Sequence, residues 1–293
     1  MNSNSNLIRG YNLFDYILLI FLGLFALSII YPFWNVILVS VVPMQVYMRS
    51  PFMLIPPEII WDNYLFVFRS RLIWSGFGNS VFVTIVGTAY NMLLTVLCAY
   101  ALTKPFPGRK FIRFYIIFTL YFSGGIIPYF LLMQNFGLMN SIWVLILPSG
   151  FVVLWMIILS SYFSSIPASL EESARMDGAN DFVILFRIIL PLSLPFLATF
   201  SLFYAVDRWN EWFHGLLFIR TATRQPLQMV LRQIIMDAQF INQQIVPGVM
   251  RPDVSTESIR MAAIVVTMFP LMSLYPFLQK YFLTGLVLGA VKE

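Results

Sequence analysis

Five long stretches of this chain contain no charged side chain, and they constrain its fold more than any other feature of the sequence. They are residues 16–48, 72–103, 114–170, 188–206 and 261–279. A helix that crosses a membrane needs about 20 apolar residues. The stretch 114–170 is long enough for two such helices, and the polar residues Gln134, Asn135, Asn140 and Ser141 predict a turn between them. The sequence therefore predicts six spans, near 14–42, 78–102, 112–134, 142–163, 190–206 and 261–282.

The composition agrees with a membrane protein and excludes several other classes. Hydrophobic residues make up 59% of the chain and charged residues 11%, with a mean hydropathy of +0.81. A soluble fold cannot bury so much apolar surface, and a disordered or nucleic-acid-binding chain would be far more polar. One cysteine, Cys98, cannot form an internal disulfide, and one histidine, His214, argues against a histidine metal cluster. We expect an all-α membrane protein with a single transmembrane domain over residues 1–293.

The positions of the charged residues predict how the chain is oriented in the membrane and whether it is driven by an ion. No charged residue falls in the middle of a predicted span, whereas an ion-driven carrier normally has one there to bind or relay its ion. The chain is therefore expected to draw its energy from elsewhere. The short loop 103–111 is basic, with Lys104, Arg109 and Lys110. Because short cytoplasmic loops are enriched in Lys and Arg, we expect this loop, loop 164–187 and both termini to be cytoplasmic.

One of these loops contains many residues that start and end helices. They are Pro167, Glu171, Glu172, Gly178, Asn180 or Asp181 as a cap, and Pro191. Gly178 can adopt the left-handed conformation that ends a helix. The pattern predicts a short helix, a glycine turn and a second helix that runs into the fifth span. A loop that only connects two spans needs no such order, so the pair is typical of a docking element.

The same loop resembles the coupling loop of ABC importer membrane subunits. That family has Glu-Ala-Ala, three residues, Gly, nine residues, and then Ile-x-Leu-Pro. This chain has Glu172-Ser173-Ala174, then Gly178, then Ile188-Ile189-Leu190-Pro191, and departs only at Ser173. Segments 226–232, 259–281 and 279–292 resemble carbohydrate-uptake permeases of the maltose-importer type. Within that family the chain is most similar to the complex-oligosaccharide branch, which includes uronic-acid oligosaccharide and alginate importers.

The resemblance implies a type I ABC importer permease fold with six transmembrane helices and a coupling loop at 165–191. It also implies several partners in a bacterial plasma membrane: a second homologous permease subunit, two ATPase subunits and an extracytoplasmic solute-binding protein. By the same resemblance, contact with the ATPases would fall to Glu171, Glu172, Ala174, Asp177, Gly178, Leu190 and Pro191. No Walker motif occurs in the sequence, so ATP and Mg²⁺ are expected on the ATPase subunits, with no cofactor or catalytic residue in this chain.

The substrate is expected to be an oligosaccharide, and whether it is acidic or neutral stays open. Sugars are recognised by aromatic faces and by amide or hydroxyl partners. The predicted pathway residues of this kind are Asn79, Asn91, Tyr204, Trp209 and Asn210. Hydrogen bonding between helices is the alternative role for each. A self-sufficient secondary carrier or channel is the alternative from another class, and an intramembrane enzyme is a third.

Two further sets of residues lie after the fifth span. Asp207, Glu211 and His214 recur at helical spacing, which fits a shared helix face at the membrane edge better than a metal site. The second set is basic and is predicted to lie in the outer loop: Arg208, Arg220, Arg224 and Arg232. These side chains would attract an acidic sugar or an acidic binding-protein surface, or would simply be solvated.

Overall fold

The computed structural model describes residues 12–243 and 257–273, and the secondary structure of this described part is helical. Its longer helices are α1 (Leu13–Val41), α4 (Arg71–Ala101), α5 (Arg109–Tyr121), α6 (Ile126–Asn135), α7 (Val153–Ser165), α8 (Ala168–Met176), α11 (Leu194–Trp209), α13 (Leu227–Gln243) and α14 (257–273). Shorter ones are α2 (Met44–Arg49), α3 (Asp62–Arg69), α9 (Asp181–Ile184), α10 (Leu190–Leu192) and α12 (Phe213–Phe218). The resemblance noted at 279–292 lies outside the described residues.

The chain divides into two compact units. Of the described residues, the first unit comprises 12–67, 238–243 and 257–265, and the second comprises 68–237 and 266–273. In the first unit the end of α1 is held by α3, because the Asn63 amide donates to the Ser40 carbonyl at 3.0 Å and the Ser40 and Tyr64 hydroxyls lie 2.7 Å apart. The rest of α1 exposes apolar side chains along its length. The prediction of a single domain over 1–293 stays a prediction.

The core of the second unit is built on α4. Helices α7 and α11 pack against it, and Val96, Ala99, Leu159 and Phe200 are buried where they meet. These side chains recur on one face of each helix, as packing on a common partner requires. Among the described residues, α1 and α4 are each long and apolar enough to cross a membrane, and up to five spans result when each bent helix pair is counted as one.

Breaks in the helices correct three of the predicted spans. The predicted helix over 112–134 is instead α5 and α6, which meet at 117° where Gly125 has a φ of +88°. The predicted helix over 142–163 begins as a single 3₁₀ turn, Ile142–Leu145, and becomes α-helical only at Val153. The fifth span bends by 86° at Ser193, which lies between Pro191 and Pro195. Glycine and proline cause these breaks because one permits left-handed backbone and the other removes a helix hydrogen bond.

One predicted connection between spans is confirmed, and two other connections contain helices. The turn predicted after Gln134 is confirmed, because α6 ends at Asn135 and Gly137 has a φ of +68°. Residues 43–77, which lie between the first two predicted spans, contain α2, α3 and the first turns of α4. Likewise the segment after the fifth span contains α12 and α13.

Candidate functional site

The predicted helix pair at 165–191 is present, and its turn is fixed by backbone hydrogen bonds. Helix α8 ends at Met176, and Gly178 follows with a φ of +82°. The Gly178 amide donates to the Arg175 carbonyl at 3.0 Å, and the Ala179 amide donates to the Ala174 carbonyl at 2.9 Å. These two bonds form the Schellman motif that closes a helix C-terminus. No atom lies within 4 Å of a Cβ built on Gly178, so a side chain would have room. Glycine is required here because of the left-handed backbone conformation.

The second helix of the pair starts at an asparagine cap. The Asn180 side chain accepts a hydrogen bond from the Val183 amide at 2.9 Å. From Asp181 the chain continues through α9, a π-helical turn at Leu185–Ile189 and α10. An ion pair joins Arg175 of α8 to Asp181 at 2.5 Å, and both side chains are about half exposed, so it contributes little to stability. The sequence thus predicted the turn and the cap correctly.

The second helix is anchored in the core, whereas α8 is not. Ile184, Leu185 and Ile189 are each at most 1% exposed and join the cluster formed by α4, α7 and α11. In α8 only the small side chain of Ala174 packs against that cluster. A movement of the second helix is therefore transmitted to the helices it packs against, because packed cores deform little.

The two glutamates of α8 have different surroundings. Glu171 pairs with Lys104, whose ammonium also lies 4.3 Å from the centre of the Tyr100 ring. Both partners of the ion pair are partly buried, at 18% and 22% side-chain exposure, so the pair is only partly shielded from solvent. Glu172 is exposed. The more accessible carboxylate is therefore that of Glu172, whereas that of Glu171 is engaged by Lys104.

The remaining predicted coupling residues are mostly exposed. Asp177, Gly178 and Pro191 are exposed, and Leu190 packs partly against the core. Three apolar side chains of the helix pair that the sequence prediction omitted are also exposed: Leu170, Met176 and Phe182 are 42%, 89% and 69% exposed. Large apolar side chains on an exposed polar helix are the signal that identifies them, since such a surface is typical of a protein interface.

The predicted pathway residues Asn91 and Tyr204 lie close together and hold the irregular segment before α7. The Asn91 amide nitrogen donates to the carbonyls of Ser149 and Gly150, and the Tyr204 hydroxyl accepts from the Val152 amide at 2.9 Å. Backbone that is not helical at membrane depth needs such partners inside the protein. These contacts are structural, and the predicted contact with substrate stays a prediction.

Arg208 lies in the same cluster, and its predicted place in an outer loop is wrong. Its side chain is 2% exposed and donates to Asn91 Oδ1 at 2.9 Å, to the Leu145 carbonyl at 2.7 Å and to the Ser149 carbonyl at 2.8 Å. A Cβ on Gly87 would lie 3.1 Å from Arg208 Cδ, so glycine gives room for this side chain.

Arg208 lies two residues beyond the predicted fifth span, which covers 190–206, so the absence of charge from the middle of each span stays a prediction. It is the second-to-last residue of α11, Leu194–Trp209. Its guanidinium is bound to carbonyl and amide oxygens of the protein, which replace water around the charge.

The other predicted pathway residues are dispersed. The Asn79 amide donates to the carbonyls of Thr223 and Gln225 at 2.9 and 3.0 Å, and the Trp209 indole donates to the Thr267 carbonyl at 3.3 Å. Asn210 caps α11 and is exposed. The structure therefore brings together two of the five predicted residues.

The predicted shared face of Asp207, Glu211 and His214 is wrong because α11 ends at Trp209. Asp207 is exposed on the helix, whereas Glu211 lies beyond it and pairs with His214 at 2.8 Å. Within residues 12–243 and 257–273 no three His, Cys, Asp or Glu side chains are grouped as metal ligands would be. Of the basic residues, Arg220, Arg224 and Arg232 are exposed as predicted.

Comparison with known proteins gives consistent similarities. The family model described as "Binding-protein-dependent transport system inner membrane component" matches residues 91–286. The chain is 42% identical to the polygalacturonan/rhamnogalacturonan transport system permease protein YtcP of Bacillus subtilis, over 96% of this chain and 98% of that protein. It is 30% identical to the arabinooligosaccharides transport system permease protein AraQ of Halalkalibacterium halodurans, over 95% and 96%.

A solved structure is similar along nearly the whole chain. It is a chain in the crystal structure of a bacterial ABC transporter involved in the import of the acidic polysaccharide alginate. The TM-score is 0.84 and the identity 33%, covering 96% of this chain and 99% of that chain.

Proposed function

We propose that this chain, which belongs to the family of binding-protein-dependent transport system inner membrane components, carries acidic oligosaccharides of the uronate type. As a member of that family it is an oligosaccharide ABC importer permease, and it is not an enzyme. The observation that carries the coupling role is the helix pair at 165–191. One of its helices is exposed, with a free glutamate and projecting apolar side chains, and the other is embedded in the core. Such a pair can bind an ATPase on one side and move spanning helices on the other.

The substrate proposal is supported by two of the similar proteins. One is a polygalacturonan/rhamnogalacturonan permease by name, and the other belongs to a transporter involved in the import of the acidic polysaccharide alginate. Uronate polymers carry a carboxylate on each sugar unit, and Arg220, Arg224 and Arg232, which were predicted to attract an acidic sugar, are exposed. Attraction between a basic protein and an acidic ligand speeds their association. The neutral alternative is supported by the arabinooligosaccharide permease at 30% identity.

In the proposed mechanism, two partner ATPases bind ATP with Mg²⁺ and close on one another, and each permease follows through its coupling loop. Glu172, Asp177 and the Gly178 turn of this chain would enter a cleft of one ATPase. The core-anchored residues Ile184 and Ile189 would then carry the movement into α4 and α11, so that the pathway opens alternately to the two sides. A second, homologous permease would complete the pathway, and an extracytoplasmic binding protein would deliver the sugar.

The protein is an integral component of the inner membrane, and we propose that it crosses it several times with both termini in the cytoplasm. This orientation places the loop after α4, the helix pair and the ATPases on the same side. It is supported by the basic residues Lys104, Arg109 and Lys110, because positive charge is retained on the cytoplasmic side.

The test is reconstitution of the chain with its partner permease, ATPases and binding protein in liposomes. Stimulation of ATP hydrolysis is measured with oligogalacturonates, alginate oligomers and neutral oligosaccharides of equal length. We expect stimulation and uptake with the uronate oligomers. Stimulation by neutral sugars alone would replace the acidic substrate by the neutral alternative, and uptake without the ATPases would overturn the importer itself.

A further inference from the structure

A cavity of about 630 Å³ lies at the end of the bundle from which the helix pair emerges. It is bounded by the end of α4 at Leu102, the beginning of α5 and the last turns of α7, three residues before α8 begins. Its size is within the usual range for pockets that bind small ligands. None of the residues that line it is a predicted ATPase contact or a member of the cluster around Arg208.

Two guanidinium groups line one wall of this cavity. Arg109 and Arg113 are four residues apart on α5 and so lie on the same face of that helix. Arg113 makes one long hydrogen bond, 3.4 Å, to the Leu102 carbonyl. In the part of the chain that the structure describes, neither arginine has a carboxylate within ion-pair distance. The wall therefore presents positive charge that none of the described carboxylates neutralises.

The opposite wall carries four hydroxyl groups. Ser160, Ser161, Ser164 and Ser165 lie at positions that share one face of α7. Ser164 and Ser165 donate to carbonyls of the preceding turn, at 2.9 and 2.7 Å, but a hydroxyl oxygen that donates can still accept. Such a polar face on an otherwise apolar helix fits a water-filled passage better than contact with lipid. Ile117, Met156 and Ile157 supply an apolar area beside it.

We propose that this cavity is an exit site for uronate units, in which the two arginines bind sugar carboxylates and the serines bind sugar hydroxyls. This inference rests on the proposed function. A uronate unit has both groups on one ring, and a guanidinium binds a carboxylate through paired, charge-assisted hydrogen bonds. The position beside α8 places the site next to the element that the ATPases would move. A movement of the coupling loop would therefore alter the affinity of the site for the sugar.

The experiment uses the complete importer in nanodiscs, with Ser161→Cys in a Cys98→Ala background. Modification of this cysteine by a water-soluble thiol reagent is followed by mass spectrometry of this chain, with and without trigalacturonate or a neutral trisaccharide. At about ten times its dissociation constant, trigalacturonate should slow modification about tenfold, because only the unoccupied site reacts, and the neutral sugar should have little effect. Protection should be lost in Arg109→Gln/Arg113→Gln and kept in Lys110→Gln, which removes a neighbouring charge outside the cavity.

Three results would overturn the proposal: no protection by trigalacturonate, equal protection by the neutral sugar, or protection that depends only on anionic phospholipid in the nanodisc. Uptake by the wild-type importer is measured in parallel. Uronate uptake without protection would refute the exit site and leave the proposed function intact. Absence of uronate uptake would refute the proposed function, and the protection measurement would still decide whether the cavity binds uronate.

Discussion

At the scale of single residues, Arg208 shows how a charge can be kept inside an apolar bundle. Its guanidinium has three acceptors, all of them neutral oxygens of the protein. Burying a charge is tolerated only where such partners replace water. The same contacts hold the backbone at Leu145 and Ser149 in place ahead of α7. The hydrogen bonds that satisfy the buried charge therefore also fix the irregular segment.

Replacing Arg208 by Met should therefore destabilise the chain strongly. The Leu145 carbonyl and Asn91 Oδ1 would lose their donor, at about 1–3 kcal/mol for each buried group. For a chain of this size that corresponds to a lower melting temperature by roughly 5–10 °C. Thermal unfolding of the purified protein in detergent measures the change. The matched control is Arg232→Met, whose side chain is exposed and lies over the Trp212 ring at 4.4 Å, and which should shift the transition by far less.

Gly178 offers a test in which strain acts on one turn only. Its φ of +82° costs a residue with a Cβ about 1–2 kcal/mol, and no atom lies close enough to add a clash. Gly178→Ala should lower the rate of coupled transport while membrane insertion stays normal, and Gly178→Asp should lower it further. Uptake and the amount of protein in the membrane are measured together. An unchanged uptake rate in Gly178→Asp would show that the turn has no role in coupling.

At the scale of elements, the Lys104–Glu171 pair links α8 to the loop after α4. A link of this kind can be tested by a double-mutant cycle, because two residues that act through one contact do not have additive effects. Lys104→Met and Glu171→Gln should each reduce uptake, and the double variant should be no worse than the more severe single one. Additive losses would mean that Glu171 instead contacts a partner subunit independently of Lys104.

The same elements show which features the sequence could predict. The helix pair was predictable because its caps are local: Gly178 and Asn180 act on backbone groups within a few residues. The irregular start of the fourth span was not, since Asn91, Tyr204 and Arg208 stabilise residues 145–152 from distant parts of the chain. Arg208 was misplaced for the same reason. A charge that follows an apolar stretch is normally at the membrane surface, and only tertiary partners reveal the exception.

At the scale of the whole molecule, the exposed apolar surface of the chain needs lipid or a partner to cover it. Most of the large side chains of α1 are exposed, including Phe21 and Phe25, which stack with ring centres 6.4 Å apart. Burial of apolar area favours both insertion into the membrane and association with a second permease. Expressed with its partner permease, the chain should purify as a heterodimer. Recovery of the chain alone at high yield would argue that lipid suffices.

The central claim is that the helix pair at 165–191 transmits ATP-driven movement to the spanning helices. The most direct test is uptake by the reconstituted importer carrying Glu172→Ala, compared with Glu58→Ala, which removes an exposed glutamate outside the pair. We expect Glu172→Ala to lower uptake by about tenfold or more, as the loss of a charge-assisted contact would, and Glu58→Ala to leave it unchanged. Wild-type uptake in Glu172→Ala, with the ATPase subunits co-purifying in normal amounts, would contradict the claim.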